Sequence, residues 1–209
     1  MAILVCFALK EEAAPFHKIA AHRPGVFTVI VGIGRQNAEK SVRGFLASCS
    51  PELVLTCGFA GGLNPELKLG DVVFELSTLN PQLSTRLLAA GAQPAKIFCA
   101  DRIATTVAEK KALRAETGAD AVEMESAAVH AVCAERGIPC ATVRVISDTA
   151  HEDLPLDFNA LAKADKSIDF GKLLLAIAKS PRKIGALMAL QKKTQFAAER
   201  LAAVLEKLI

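Results

Sequence analysis

The chain of 209 residues has no tryptophan and no tyrosine, so its 10 phenylalanines are its whole aromatic content. Stacking side chains for nucleic-acid bases are therefore scarce. The net charge of +3 is spread along the chain rather than gathered into a basic stripe. Nucleic acid is not expected as a partner. No apolar run is long enough to cross a bilayer: Val26–Val31, Leu53–Phe59 and Cys140–Ile146 are strand-sized. No basic region precedes the strand-like run that follows Met1, so no signal or transit peptide is expected, and the expected location is cytoplasmic. The six cysteines form no CxxC pair, and no His/Cys cluster has zinc spacing. They read as reduced thiols, with no metal site expected.

Hydrophobic residues make up 52% of the chain, which excludes a disordered protein and suits one substantial core. Strand-like and helix-like segments alternate. Ala2–Ala8, Val26–Val31, Leu53–Phe59, Asp71–Glu75, Ala95–Cys99, Ala121–Glu123 and Cys140–Ser147 read as strands, with Gly61-Gly62 expected to break the third. Lys10–Ala21, Asn37–Cys49, Thr106–Thr117, Ser126–Arg136 and Phe158–Ala178 read as helices, Pro15 being a mild objection in the first. A long amphipathic run from Pro181 to Leu208 follows. The expected fold is α/β: one domain over residues 1–209, a central mostly parallel mixed sheet flanked by helices, and a mostly helical part over 158–209.

In such sheets ligands bind beyond the carboxyl ends of the strands. There the sequence places Lys10-Glu11-Glu12, Gly32-Ile33-Gly34-Arg35, Gly58-Phe59-Ala60-Gly61-Gly62, Asp101, Glu123-Met124-Glu125 and Asp148. Gly32-x-Gly34 has Asn37 where a dinucleotide site needs a third glycine, so it is not a Rossmann fingerprint. Arg35 beside a helix start suits an anion, or is an ordinary solvated arginine. By pattern alone, Glu123 and Glu125 read as helix caps and Asp148 as a cap or turn residue.

Three segments in order carry a resemblance. Gly58-Phe59-Ala60-Gly61-Gly62-Leu63 with Leu69-Gly70-Asp71-Val72-Val73 resembles the glycine-rich segment of the nucleoside phosphorylase/nucleosidase superfamily. Val122-Glu123-Met124-Glu125-Ser126 resembles its glutamate–methionine–glutamate motif, and Val143-Arg144-Val145-Ile146-Ser147-Asp148 its arginine-and-aspartate motif. The resemblance runs from Ile3 to about Asp148. It implies an enzyme that cleaves the N-glycosidic bond of a purine nucleoside. Asp148 would give a proton to purine N7, Glu125 would bind the ribose hydroxyls, and Met124 would lie under the ribose. Glu12 would activate water in the hydrolytic branch, and Arg144 would hold nearby carboxylates. Glu123, Gly61, Phe59, Ile103 and Arg35 complete the expected substrate contacts. The resemblance implies a homodimer and no metal or organic cofactor, with phosphate as the one co-substrate it allows. Cleavage builds positive charge on the sugar, which a carboxylate stabilises. A protonated acid at neutral pH needs burial beside other acids, which Asp148 near Glu125 would supply.

Three departures qualify the resemblance. Phe59 stands where many members carry a hydroxyl that helps hold phosphate or water. The stretch between Asp71 and Asp101 is short, which implies a site open at one end. Asp101-Arg102-Ile103 lacks the aromatic that commonly stacks on the base, leaving Ile103 as an apolar wall. An open site suits a large 5′ substituent, and the chain looks most like the hopanoid-associated phosphorylase branch, which removes adenine from adenosylhopane. Glu11-Glu12 instead resembles the methylthioadenosine/S-adenosylhomocysteine nucleosidases and futalosine hydrolases, which favours water. In the tail, Ile184, Leu187, Met188, Leu201, Leu205 and Leu208 lie near helical spacing. Packing on the core or a second subunit is the ordinary fate of such a face; peripheral membrane contact is the sharper alternative. A non-catalytic nucleoside-binding relative and an unrelated flavodoxin-like domain are the competing classes. The retained acids argue against the first, and the lack of a phosphate motif after the first strand against the second.

Overall fold

The computed structural model describes residues 2–75, 81–161, 163 and 183–209. The first strand, β1 (Ile3–Phe7), shows how the core is built. Its side chains alternate: Ile3, Val5 and Phe7 join one hydrophobic cluster, and Leu4 and Cys6 another on the opposite face. The first cluster includes Phe16 of α1 (Lys10–Ala20), and the second Ala38, Val42 and Leu46 of α2 (Arg35–Leu46). A strand buried on both faces must be apolar throughout, which is why the sequence runs rather than alternates here. Each large side chain so buried stabilises the fold by about 1.5–3 kcal/mol.

The other strands are β2 (Val26–Ile30), β3 (Leu53–Gly62), β4 (Val72–Glu75), β5 (Gln93–Ala95), β6 (Ile97–Cys99), β7 (Ala121–Glu123) and β8 (Cys140–Asp148). Among the described residues they form one sheet in the order β2-β1-β3-β8-β4-β5, with β7 pairing β3 and β6 pairing β7. The pairs β1–β2, β1–β3, β3–β8, β4–β5 and β6–β7 are parallel; β3–β7 and β4–β8 are antiparallel. The sheet is thus mixed and mostly parallel, as expected. Helices α3 (Pro81–Ala90), α4 (Val107–Thr117), α5 (Ser126–Glu135), α6 (Phe158–Leu161) and α7 (Lys183–Glu206) complete the described elements. Val129, Val132 and Cys133 of α5 pack with α2 on one face; Leu201 and Leu205 of α7 pack with α1 on the other.

Several boundaries differ from expectation. Gly61-Gly62 does not break β3: the strand continues through both, because a register shift between Ala60 and Gly61 turns its end onto β7. The expected strand Ala95–Cys99 is two strands, since β5 follows β4 while β6 follows β7, with Lys96 between them. α3 has no counterpart among the expected elements, although Leu83, Leu87 and Ala90 fall at helical spacing and are buried. Pro15 sits inside α1 without ending it. α4 opens on the expected threonine: Thr106 Oγ1 accepts the N–H of Glu109 at 3.2 Å, and the Glu109 carboxylate accepts the N–H of Thr106 at 3.2 Å. Of the expected helix Phe158–Ala178, only Phe158–Leu161 is a described helix; its remainder and the start at Pro181 lie outside the described residues.

The tail divides. Leu201, Leu205 and Leu208 are buried on the core, while Ile184 and Met188 are 46% and 58% exposed. No described helix is long and apolar enough to cross a membrane. All six cysteines are free thiols.

Candidate active site

Glu12 reaches the carboxyl end of β3 from the first turn of α1. One carboxylate oxygen accepts the N–H of Leu9 at 2.9 Å, closing the helix start. The other accepts the N–H of Phe59 at 2.8 Å. Gly58 makes room for this contact. Its φ is +148°, and a Cβ there would stand 2.8–2.9 Å from the Glu12 carboxyl group. Burial pushes the Glu12 carboxyl up to about 7, reinforced by the charge of Glu125 and opposed by the Phe59 N–H and by Arg144.

The β7–α5 junction supplies a second group of acids. Glu123 accepts the N–H groups of Glu125 (3.0 Å) and Ser126 (2.8 Å) and the Ser126 hydroxyl (2.6 Å), so it caps α5. Arg144 of β8 ion-pairs with Glu123 inside the protein, lies 3.7 Å from a Glu125 oxygen, and donates to Thr56 Oγ1 at 3.1 Å. Burial alone would raise both acids. Arg144, Ser126 and the Glu125 N–H overcome it at Glu123 and hold that carboxyl below its ordinary range. At Glu125 burial prevails over the Arg144 attraction, with the Glu123 charge adding to it, and the carboxyl is raised. Glu125 does not cap its helix; it accepts the N–H of Gly34 at 2.9 Å, at the start of α2. The capping alternative therefore describes Glu123 and not Glu125.

Asp148 ends β8 opposite Gly61. A Cβ on Gly61 would sit 3.3 Å from an Asp148 carboxylate oxygen, so a glycine gives the acid its room. Asp148 Oδ1 accepts the Ser147 hydroxyl at 2.8 Å, and Oδ2 accepts Lys110 Nζ at 2.5 Å. The lysine is the charge immediately beside Asp148. It was absent from the sequence reading because a lysine in a helical segment ordinarily marks the solvated face.

These groups line one cavity of about 220 Å³. Glu12, Phe59, Gly61, Ile103, Glu123, Met124, Glu125 and Asp148 all contribute to its wall. Arg35 does not: its guanidinium donates to the Cys99 carbonyl at 2.6 Å and pairs with Asp101 at 3.1 Å, beside a different surface cleft. Sequence reasoning also missed Leu154, Phe158 and Leu190, which make much of the remaining wall apolar, and Asn159. The Asn159 amide brackets Ile103, accepting its N–H and donating to its carbonyl, each at 2.9 Å. Their signal was weak, since they lie on the loop before α6, on α6 and on α7, beyond the motifs. Among the described residues, no group of three or more His, Cys, Asp or Glu side chains is placed to hold a metal ion.

Chemically, the cavity offers a carboxyl that exchanges a proton near neutral pH, a buried carboxyl beside a helix start, and an acid paired with an ammonium group. Such tuned acids are the equipment of proton transfer to and from a bound substrate.

A family model described as the phosphorylase superfamily matches residues 10–80 and 77–179. The 5′-methylthioadenosine/S-adenosylhomocysteine nucleosidase of Marinomonas sp. (strain MWYL1) is 31% identical over 167 residues, which are 63% of this chain and 71% of that protein. The aminodeoxyfutalosine nucleosidase of Helicobacter pylori (strain ATCC 700392 / 26695) is 26% identical over 194 residues, 76% of this chain and 84% of its own. Among solved structures, the futalosine hydrolase of Helicobacter pylori strain 26695 superposes with a TM-score of 0.73 at 19% identity, covering 100% of this chain and 97% of that one. The 5′-methylthioadenosine/S-adenosylhomocysteine nucleosidase from Neisseria meningitidis, in complex with methylthio-immucillin-A, gives 0.73 at 18% identity, covering 99% and 97%.

Proposed function

The chain belongs to the phosphorylase superfamily, and from that premise we propose that it cleaves the N-glycosidic bond of a 5′-substituted adenosine, releasing adenine with water as the nucleophile. The observation that carries this reading is Glu12, fixed by two backbone N–H groups in the cavity that also holds Glu125 and Asp148. A carboxyl pushed up to about 7 is well matched to taking a proton from water near neutral pH.

The roles follow from the chemistry. Glu12 takes the proton of the attacking water. Glu125 binds the ribose hydroxyls, and its negative charge, when ionised, stabilises the cationic sugar. Met124 lies against the sugar. Asp148 passes a proton to N7, so that the base leaves neutral. Arg144 and Glu123 hold Glu125 in place, and Arg35, paired with Asp101 beside a different cleft, has no step on the substrate. No metal or organic cofactor has a step in this scheme. Phosphorolysis is the alternative nucleophilic route, and the same assay decides it.

Relatives named for methylthioadenosine, S-adenosylhomocysteine and aminodeoxyfutalosine support a 5′-modified adenosine. Leu154, Phe158 and Leu190 favour an apolar 5′ group, with an adenosylhopane-like substrate the most apolar member of that class. A homodimer belongs to the same reading. The test is adenine release from adenosines bearing 5′ groups of increasing apolar size, with and without phosphate. Release in water, improving with apolar 5′ groups, is expected. Release only with phosphate would make the enzyme a phosphorylase, and no release would leave a nucleoside-binding protein.

A further inference from the structure

Lys110 is the single buried residue of α4 and is wholly excluded from solvent. Its ammonium has three protons and three acceptors: Asp148 Oδ2 at 2.5 Å, the Thr149 carbonyl at 2.7 Å and the Glu152 carbonyl at 3.0 Å. The loop that offers those carbonyls is itself pinned. Glu152 accepts the N–H of Thr149 at 2.8 Å and pairs with Lys193 of α7. The lysine is thus held at one place by the backbone that follows the acid.

This arrangement bears on the proposed proton donor. Both oxygens of Asp148 already accept a hydrogen bond, one from Lys110 and one from Ser147. The Lys110 ammonium thus already offers a proton to the carboxyl group along an existing hydrogen bond, on the buried side of the acid. We propose that Lys110 supplies the proton that Asp148 passes to the purine. The inference rests on the nucleosidase reading above.

The step balances. As the C1′–N9 bond breaks, its electron pair goes to the base. The proton on Lys110 Nζ moves across the 2.5 Å hydrogen bond to the Asp148 carboxylate, which passes a proton to N7. The base leaves neutral, Asp148 ends as it began, and Lys110 is left as an uncharged amine. When the base departs, the amine recovers a proton from solvent through Asp148, matched by the proton that Glu12 took from the attacking water and then releases. Both groups are buried and already hydrogen-bonded, so the proton has no solvent to cross. Lysine suits this work and arginine does not, since a guanidinium keeps its proton in a protein.

The experiment compares two substrates. Base release is measured from 5′-methylthioadenosine and longer 5′-alkylthioadenosines, and from their N7-methyl derivatives, whose positively charged base leaves without a proton. The variants are Lys110→Met and Lys110→Arg, with Asp148→Asn for reference and thermal melting to confirm folding. Lys110→Met is expected to lose roughly 10²-fold or more on the parent nucleosides while staying within a few-fold of wild type on the N7-methyl forms. Lys110→Arg, which keeps the charge but not a transferable proton, is expected to behave alike, so the inference stays testable if the methionine variant does not fold. Full parent activity in Lys110→Arg, or equal loss on both substrates in a folded variant, overturns the inference alone. Failure of the wild type to release base from any of these substrates overturns the nucleosidase reading and the inference with it.

Discussion

The Glu12 carboxylate and the backbone N–H of Phe59 meet at 2.8 Å, across a separation of 47 residues in sequence. Phe59 occupies a position where the resemblance places a hydroxyl in many members, yet its backbone holds Glu12 and its side chain walls the cavity. Side-chain identity at that position is therefore less decisive for Glu12 than the backbone path through Gly58 and Phe59.

On the proposed reading, Glu12 gives the reaction its pH dependence. As a base it must be ionised, so kcat/KM is expected to rise as pH increases through about 7 and then level. Glu12→Gln should lose the ascending limb together with roughly 10²–10⁴-fold in rate. The same group affects stability. Its carboxyl is raised from 4.5 in the folded chain, so between about 4.5 and 7 the folded state binds more protons than the unfolded state. This contribution to stability therefore falls as pH rises through that window. Denaturant titrations of wild type and Glu12→Gln across pH 4–8 check it: a wild-type curve parallel to that of the variant would contradict the assignment.

Gly58→Ala should displace Glu12. The added methyl would stand 2.8–2.9 Å from the carboxyl atoms at a φ of +148°, where a side chain is strained whatever the space. The expected outcome is a fall in kcat larger than the change in KM, with a stability loss of about 1–3 kcal/mol. Steady-state kinetics beside a chemical melt measures both, and an unchanged kcat would show that the position of Glu12 is not critical.

Arg144 answers for two buried acids. Arg144→Met leaves Glu123 and Glu125 without their cation and should destabilise the fold by about 3–5 kcal/mol. Adding Glu123→Gln removes one orphaned charge and is expected to recover part of the loss. A double variant no more stable than the single would argue against the pairing as the source.

Along α7, Leu201→Ala should cost about 2–5 kcal/mol, because Leu201 is buried in the core cluster. Met188→Ala, at an exposed position, should cost about 0.5 kcal/mol or less. Urea midpoints of the two variants give the comparison, and equal losses would mean that the exposed half of the helix is covered in solution.

Legibility in the sequence followed physical cause. β1, β3 and β8 announce themselves because strands buried on both faces must be continuous apolar runs. By pattern alone the acids near the strand ends read as caps and turn residues, and only the three motifs taken in order singled them out. Lys110 was hidden, since the sequence gives no sign that its helix turns that one side chain inward. The continuation of β3 through Gly61-Gly62 was hidden too. Glycines there signal a break, whereas the fold uses their small size to bring Asp148 close. Arg35 looked like a ligand group because its partner, Asp101, lies 66 positions away and is joined to it only by folding.

Four of the six thiols, Cys6, Cys57, Cys133 and Cys140, are buried in the layers around the central strands. Burial pushes the Cys57 thiol up to about 12, with the nearby Arg144 pulling the other way. A thiolate is what reacts with alkylating reagents, and a thiol so placed forms almost none while the sheet is closed. Alkylation of Cys57 therefore has to wait until β3 separates from its neighbours, and the pace of its labelling in native buffer becomes a clock for the opening of the sheet itself.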